Sequence, residues 1–259
     1  MTSIAYVLSL LLRVYKYDVI HVFSASYLSF VLAPTPAILI GKLYRRKILL
    51  NYHSGEADDH LRRWRRTAIP TIRLVDAVVV PSEYLVRVFA SYQLNATAIY
   101  NLIDTSKFRF RERSPLRPVF LSNRNLESHY GVDRVLRAFA LIQEKIPEAS
   151  LTIAGDGSQA RALRTLAQEL NLQNERFIGQ VAPFAIADVY DATDIFLNGS
   201  EIDNQPLSIL EAFSCGLPVV TTNAGGIPVR PSSTISGIPP AFVVTTGSPH
   251  ENASRIESG

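Results

Sequence analysis

The sequence is short of several things, and each shortage removes a class of protein. It has one cysteine in 259 residues, Cys215, so neither an intrachain disulfide nor a thiolate metal site can form, and a reducing, cytoplasmic compartment is expected. Long apolar runs are missing. The opening run extends only from Ile4 to Leu12, far less than the roughly 20 residues of a bilayer-spanning helix. It has no basic residue ahead of it and no small-residue cleavage site behind it, which argues against a signal peptide. Charge of one sign is not in large excess: 26 Lys and Arg against 23 Asp and Glu give +3. That balance tilts toward an anionic partner, whether nucleotide, phosphorylated lipid or membrane surface, without choosing among them. At 47% hydrophobic and 19% charged residues, the composition excludes disorder as the default.

What is present alternates. Short β-branched runs are predicted as strands: Val19 to Phe23, Lys47 to Tyr52, Ala77 to Val80, Ala96 to Tyr100, Pro118 to Ser122, Ser150 to Ala154, Val219 to Thr222 and, more faintly, Arg176 to Ile178 and Ile195 to Leu197. Between them lie stretches with apolar residues three and four apart: Ile4 to Tyr15, Ser26 to Tyr44, Glu83 to Ser91, Val132 to Lys145, Gln159 to Leu170, Pro183 to Ala192 and Ser208 to Cys215. This is the pattern of βαβ units around parallel sheets, whose doubly covered strands read as nearly uniform apolar runs. Thr105 to Arg117 has five basic residues and no periodicity. The expected organisation is therefore a first domain over 1–107, a linker over 108–117, a second domain over 118–230 and a disordered tail over 231–259, where Ser, Thr, Pro and Gly make up 16 of 29 residues.

Acidic and glycine residues concentrate in Asn198-Gly-Ser-Glu-Ile-Asp203-Asn-Gln-Pro-Leu-Ser-Ile-Leu-Glu211, which runs on to Cys215-Gly-Leu-Pro-Val-Val and Gly225-Gly226. A strand end opens into a polar loop, a helix begins near Leu207 or Ser208, and Gly216 stops it. Loops at the carboxyl ends of parallel strands face the ligand crevice, so this stretch marks a site. It resembles the signature of the family 4 glycosyltransferases, in which two acids separated by seven residues precede a Cys-Gly-x-Pro-Val segment and a Gly-Gly loop. Asp203 and Glu211 stand at that spacing, with Asp where the family usually has Glu. A second stretch, Val119 to Phe139, is similar to the family's opening strand of the donor domain, with Arg124 at the position of a phosphate-binding arginine. The family's following Lys is absent, and His129 or Tyr130 occupies its region.

The resemblance implies an α/β fold of two Rossmann-like domains with parallel sheets, the GT-B type. It implies transfer of a sugar from a nucleoside diphosphate donor to a sugar, lipid-linked or other hydroxyl acceptor, with retention of anomeric configuration. Arg124 would stabilise the departing diphosphate, Glu211 hold the ribose and Asp203 orient the sugar. Gly155, Gly179, Val181 and the amides of Leu207 and Ser208 would line the nucleotide site, although Pro206 stands where the family commonly has Gly and offers no N–H. No cofactor and no metal are implied, the nucleotide-sugar being a substrate. Glu201 reads as a solvated loop charge.

The first half carries weaker echoes of the family's acceptor domain, and His53, at the end of a strand, is a candidate for the cleft. In Arg62-Arg-Trp-Arg-Arg66, helical spacing puts Arg62 and Arg66 on one face with Trp64 at an interface. A solvated charged face is the first account of this cluster; a phosphorylated acceptor or peripheral contact with the inner face of a membrane is the other. Nucleic acid is not expected, because no aromatic- or Gly-rich RNA-binding pattern accompanies the charge. There is no glycine before Gly41, where the family has a Gly-rich first loop, and after Pro228 the family pattern stops. A first domain incomplete at its start, a second incomplete at its end and impaired activity are the expectations. The alternatives are an epimerase or phosphorylase of the same fold, or a non-catalytic nucleotide-sugar-binding remnant.

Overall fold

The computed structural model describes residues 3–24, 26–227 and 243–246. The chain forms two compact units, Met1–Asn101 and Leu102–Gly259. Each is an α/β layer structure on a parallel sheet, as the alternation of short apolar runs and helical stretches requires.

In the first unit β1 (Val19–Ser24), β2 (Lys47–Tyr52), β3 (Ala77–Val80) and β4 (Thr97–Ala98) pair side by side in sequence order, all parallel. The helices are α1 (Ser3–Arg13), α2 (Leu28–Leu32), α3 (Pro34–Leu43), α4 (Ala57–Arg63), α5 (Arg65–Ile72) and α6 (Glu83–Ser91). The single helix expected from Ser26 to Tyr44 is broken at Ala33, since the ring of Pro34 drives its predecessor out of helical geometry. Ser82 caps α6 by accepting from the Leu85 amide at 3.3 Å. Ile48, Leu50, Leu61, Leu85 and Phe89 are buried in the core of this unit.

The expected continuous basic helix is also corrected. Trp64 leaves helical geometry (φ −105°, ψ 27°) and separates α4 from α5, so Arg62 and Arg66 do not share one helix. The Trp64 indole packs against the core, while Arg62 and Arg63 are both paired to Asp59, at 2.7 and 2.9 Å.

In the second unit the strands are β5 (Val119–Asn123), β6 (Ser150–Ala154), β7 (Glu175–Gly179), β8 (Ile195–Asn198), β9 (Val219–Thr222) and β10 (Val243–Thr246). They pair in the order β10-β9-β8-β5-β6-β7, all parallel. The crossovers contain α7 (Val132–Lys145), α8 (Ala160–Glu169), α9 (Ile186–Asp191) and α10 (Leu207–Ser214). The strand order reverses between β5 and β8, and in open sheets of this kind the crevice beyond the carboxyl ends at the reversal is where ligands bind.

Two expected boundaries change. The tail expected to be disordered contains β10, because Val243-Val-Thr-Thr246 repeats Val219-Val-Thr-Thr222 and pairs with it residue for residue. The rest of that tail lies outside the described residues. The basic stretch expected as a linker is built into the second unit instead. Arg111 and Arg117 reach Asp194 at 2.7 and 2.8 Å, and the buried Arg113 lies 3.8 Å from it. Arg113 also donates to the carbonyls of Arg111, Tyr190, Thr193 and Cys215. Asp194 is fully buried, and its arginines hold its carboxyl well below the usual carboxylate range.

Candidate active site

Arg124 follows directly on β5, and the loop carrying Asp203 follows β8, so the strand reversal brings together side chains 79 residues apart. The Arg124 guanidinium donates through Nη2 to Asp203 Oδ2 and through Nη1 to the Ser208 hydroxyl at 3.1 Å. The Tyr130 ring lies under it, 4.2 Å from centroid to Cζ, and its Nε is buried with no hydrogen-bond partner. Both members of the ion pair are largely enclosed, with side-chain exposures of 9% and 16%.

Each is backed by a glycine at which a side chain would strain the backbone. Gly155 has φ +127°, and a Cβ there would stand 2.0 Å from the Arg124 carbonyl oxygen. Gly225 has φ +59°, and its Cβ would stand 2.2 Å from the Asp203 carbonyl oxygen, while the neighbouring Gly226 amide donates to that same oxygen at 2.8 Å. The glycine loops thus fix the backbone beneath the charged pair, as permissive φ allows.

Ser208 is in the first turn of α10 and Glu211 one turn on, so their side chains share a face. The helical ladder begins with Ile209 and Leu210 donating to the Pro206 carbonyl, which leaves the amides of Leu207 and Ser208 ahead of it at the positive end of the helix. Pro206, lacking an N–H, is the N-cap. Glu211 is half-buried, and burial raises its carboxyl above the ordinary range while the Tyr190 hydroxyl, 2.8 Å from Oε2, pulls it down.

Of the expected residues, Arg124, Asp203, Ser208 and Glu211 are gathered into one contact chain by Arg124–Ser208 and the α10 turn. Gly155 supports Arg124 and takes the Gly179 carbonyl on its amide at 2.8 Å. Gly179, with φ +72°, ends β7 beside open space, and Val181 packs partly against the adjacent core. Leu207 is exposed. Glu201 pairs with Arg134 at the surface. At the missing second-cation position Tyr130 supports Arg124 with its ring face, a cation–π contact, and His129 is exposed. His53 belongs to the first unit, exposed just past β2, with its ring 6.5 Å from that of Phe23.

Sequence reading missed Asn123 and Tyr190. Tyr190 is fully buried in α9, accepts from Asn123 Nδ2 at 3.0 Å and meets both Glu211 Oε2 and the Ser208 carbonyl. The available signal was a tyrosine rather than a hydrocarbon on an inward helical face, since a buried phenol needs a partner.

The family model described as "Glycosyl transferases group 1" matches residues 104–258, and that described as "Glycosyltransferase Family 4" matches 2–107. A GDP-mannose-dependent alpha-(1-6)-phosphatidylinositol monomannoside mannosyltransferase of Mycolicibacterium smegmatis is 30% identical over 76% of this chain and 58% of its own length. A sulfoquinovosyl transferase of Arabidopsis thaliana is 28% identical over 83% of the chain and 44% of its own. The chain therefore spans about half the length of these curated relatives. Among solved structures, a sucrose-phosphate synthase from Thermosynechococcus elongatus superposes with TM-score 0.67 at 20% identity, covering 94% of this chain and 64% of that one. A pneumococcal O-GlcNAc transferase in complex with UDP and GlcNAc gives 0.66 at 17%, covering 98% and 50%. At these identities the structures speak for the fold.

Proposed function

Because the chain belongs to the glycosyl transferases group 1 family, we propose that its second unit binds a nucleoside diphosphate sugar at the β5/β8 reversal for transfer of the sugar to a hydroxyl acceptor with retention. The observation that carries this reading is the convergence of Arg124 and Asp203 on Ser208 in the first turn of α10, with Glu211 one turn further along the same helix. A diphosphate needs charge compensation as it leaves, and a guanidinium beside a helix N-terminus supplies it without a metal. A carboxylate one turn inside the helix suits a ribose diol, which presents two donors.

In this reading the donor diphosphate takes the place of the Asp203 carboxylate on Arg124, and the released Asp203 turns to the sugar hydroxyls. The anomeric C1–O bond to the diphosphate then breaks, C1 bonds the acceptor oxygen, and the acceptor proton passes to the diphosphate oxygen that has left. Relatives named as a phosphatidylinositol monomannoside mannosyltransferase and an alpha-monoglucosyldiacylglycerol synthase support a lipid-linked acceptor. Peripheral contact with an anionic membrane draws support from a hollow of about 660 Å³ lined by Arg65, Arg66 and Arg73 over Ile69 and Pro70. No described helix is long and apolar enough to cross a membrane.

The test is titration calorimetry with UDP and with GDP. Losing charge-assisted hydrogen bonds of about 1.5–3 kcal/mol, Arg124→Ala should weaken binding roughly 10- to 100-fold. Unchanged affinity in a folded variant would overturn the reading.

A further inference from the structure

The Tyr190 side chain has more polar partners than packing requires. Its ring is fixed between Phe196, stacked at 6.0 Å and 29°, and Phe108, edge-on at 6.0 Å and 81°. Its backbone carbonyl takes Arg113 Nη2 at 3.0 Å, which ties the end of α9 to the segment before β5. A phenylalanine would serve this packing equally, as Phe108 and Phe196 do, and burying a hydroxyl costs free energy unless it is satisfied.

The phenol has one proton and two acceptors within reach, Glu211 Oε2 at 2.8 Å and the Ser208 carbonyl at 3.0 Å. The carboxylate is the stronger acceptor. Asn123 Nδ2, donating to the phenol oxygen from the end of β5 at 3.0 Å, further polarises the O–H toward Glu211. Oε2 is thereby committed to the phenol.

We propose that Tyr190 is a positioning residue for nucleotide recognition: by occupying Oε2 of Glu211 it presents Oε1 to the ribose 2′- and 3′-hydroxyls of the donor. This rests on the nucleotide-sugar reading above. It assigns the phenol the choice of which oxygen meets the diol, and so the preference for a ribonucleotide over a 2′-deoxyribonucleotide.

The experiment compares Tyr190→Phe with wild type for affinity toward UDP and GDP and their 2′-deoxy counterparts across pH. Wild type should favour the ribonucleotide about tenfold or more, since a site built to hydrogen-bond a hydroxyl discriminates against its absence. In Tyr190→Phe that preference should fall to about twofold while deoxynucleotide affinity changes little. Removing the hydroxyl also removes the one influence lowering the Glu211 pKa, so loss of ribonucleotide binding on acidification should begin at higher pH. A role confined to packing would weaken both nucleotides together, leave their ratio intact and overturn the proposal. Should Tyr190→Phe not fold, Asn123→Ala, which leaves the phenol in place, should show a smaller fall in the same ratio, and an unchanged ratio would overturn the proposal equally. A wild type that binds neither diphosphate overturns the nucleotide reading and this one with it; ribose preference retained in Tyr190→Phe overturns this one alone.

Discussion

The two ends of the second sheet each hold arginine against carboxylate, and they do so for different ends. At the amino-terminal edge Arg111, Arg113 and Arg117 surround Asp194, and Arg113 spends its remaining donors on backbone carbonyls. At the carboxyl edge one arginine faces one carboxylate, and Arg124 keeps an unpartnered Nε. Saturated donors make a structural knot, since nothing is left to offer a ligand. An arginine held by one carboxylate, backed by glycines and beside a helix N-terminus, suits the proposed donor site.

Substitutions should separate the two ends by what they damage. Asp194→Asn should have the largest effect on stability: removing one partner of a buried pair costs about 3–5 kcal/mol, to be read from the urea midpoint, while nucleotide affinity in the folded fraction stays as it was. The folded-state carboxyl of Asp194 titrates below its unfolded value. Its contribution is therefore fully present above the unfolded value of about pH 4 and disappears as pH falls through the folded one. The stability gap between wild type and Asp194→Asn should accordingly close on acidification, and a gap independent of pH would refute the assignment. Gly155→Ala comes next. Its positive φ and the clash with the Arg124 carbonyl should cost about 1–3 kcal/mol and, unlike Asp194→Asn, should weaken UDP or GDP binding. If it lowers the melting temperature with binding intact, Gly155 belongs to the scaffold alone. The smallest effect is expected at Glu201, whose pair with Arg134 is 48% and 39% exposed. Glu201→Gln should change stability by less than about 1 kcal/mol and leave binding unaltered, checked by the same melts and titrations.

Much of this was legible in the sequence for a physical reason. Strands covered on both faces cannot alternate in polarity, so Lys47–Tyr52, Ala77–Val80, Ser150–Ala154 and Val219–Thr222 announce themselves as apolar or β-branched runs. The Asp203 and Glu211 spacing sits within one loop and helix, so it survives as a local pattern. What was hidden depends on distance. The partners of Asp194 lie 77 to 83 residues away, and an arginine destined for a buried carboxylate looks the same in sequence as one bound for solvent. Tyr190 was hidden likewise, since its partners come from β5 and α10. The break at Trp64 was concealed by helical spacing that continues through it, and β10 by the Ser- and Pro-rich composition around it.

The Arg124–Asp203 pair also sets an admission threshold. To reach an arginine that already carries a tethered anion, a free phosphate or sulfate must displace a carboxylate whose effective concentration is fixed by the loop that bears it. Only a visitor that grips elsewhere at the same time can win that exchange. In the proposed donor site this would favour a molecule engaging several points at once over small anions.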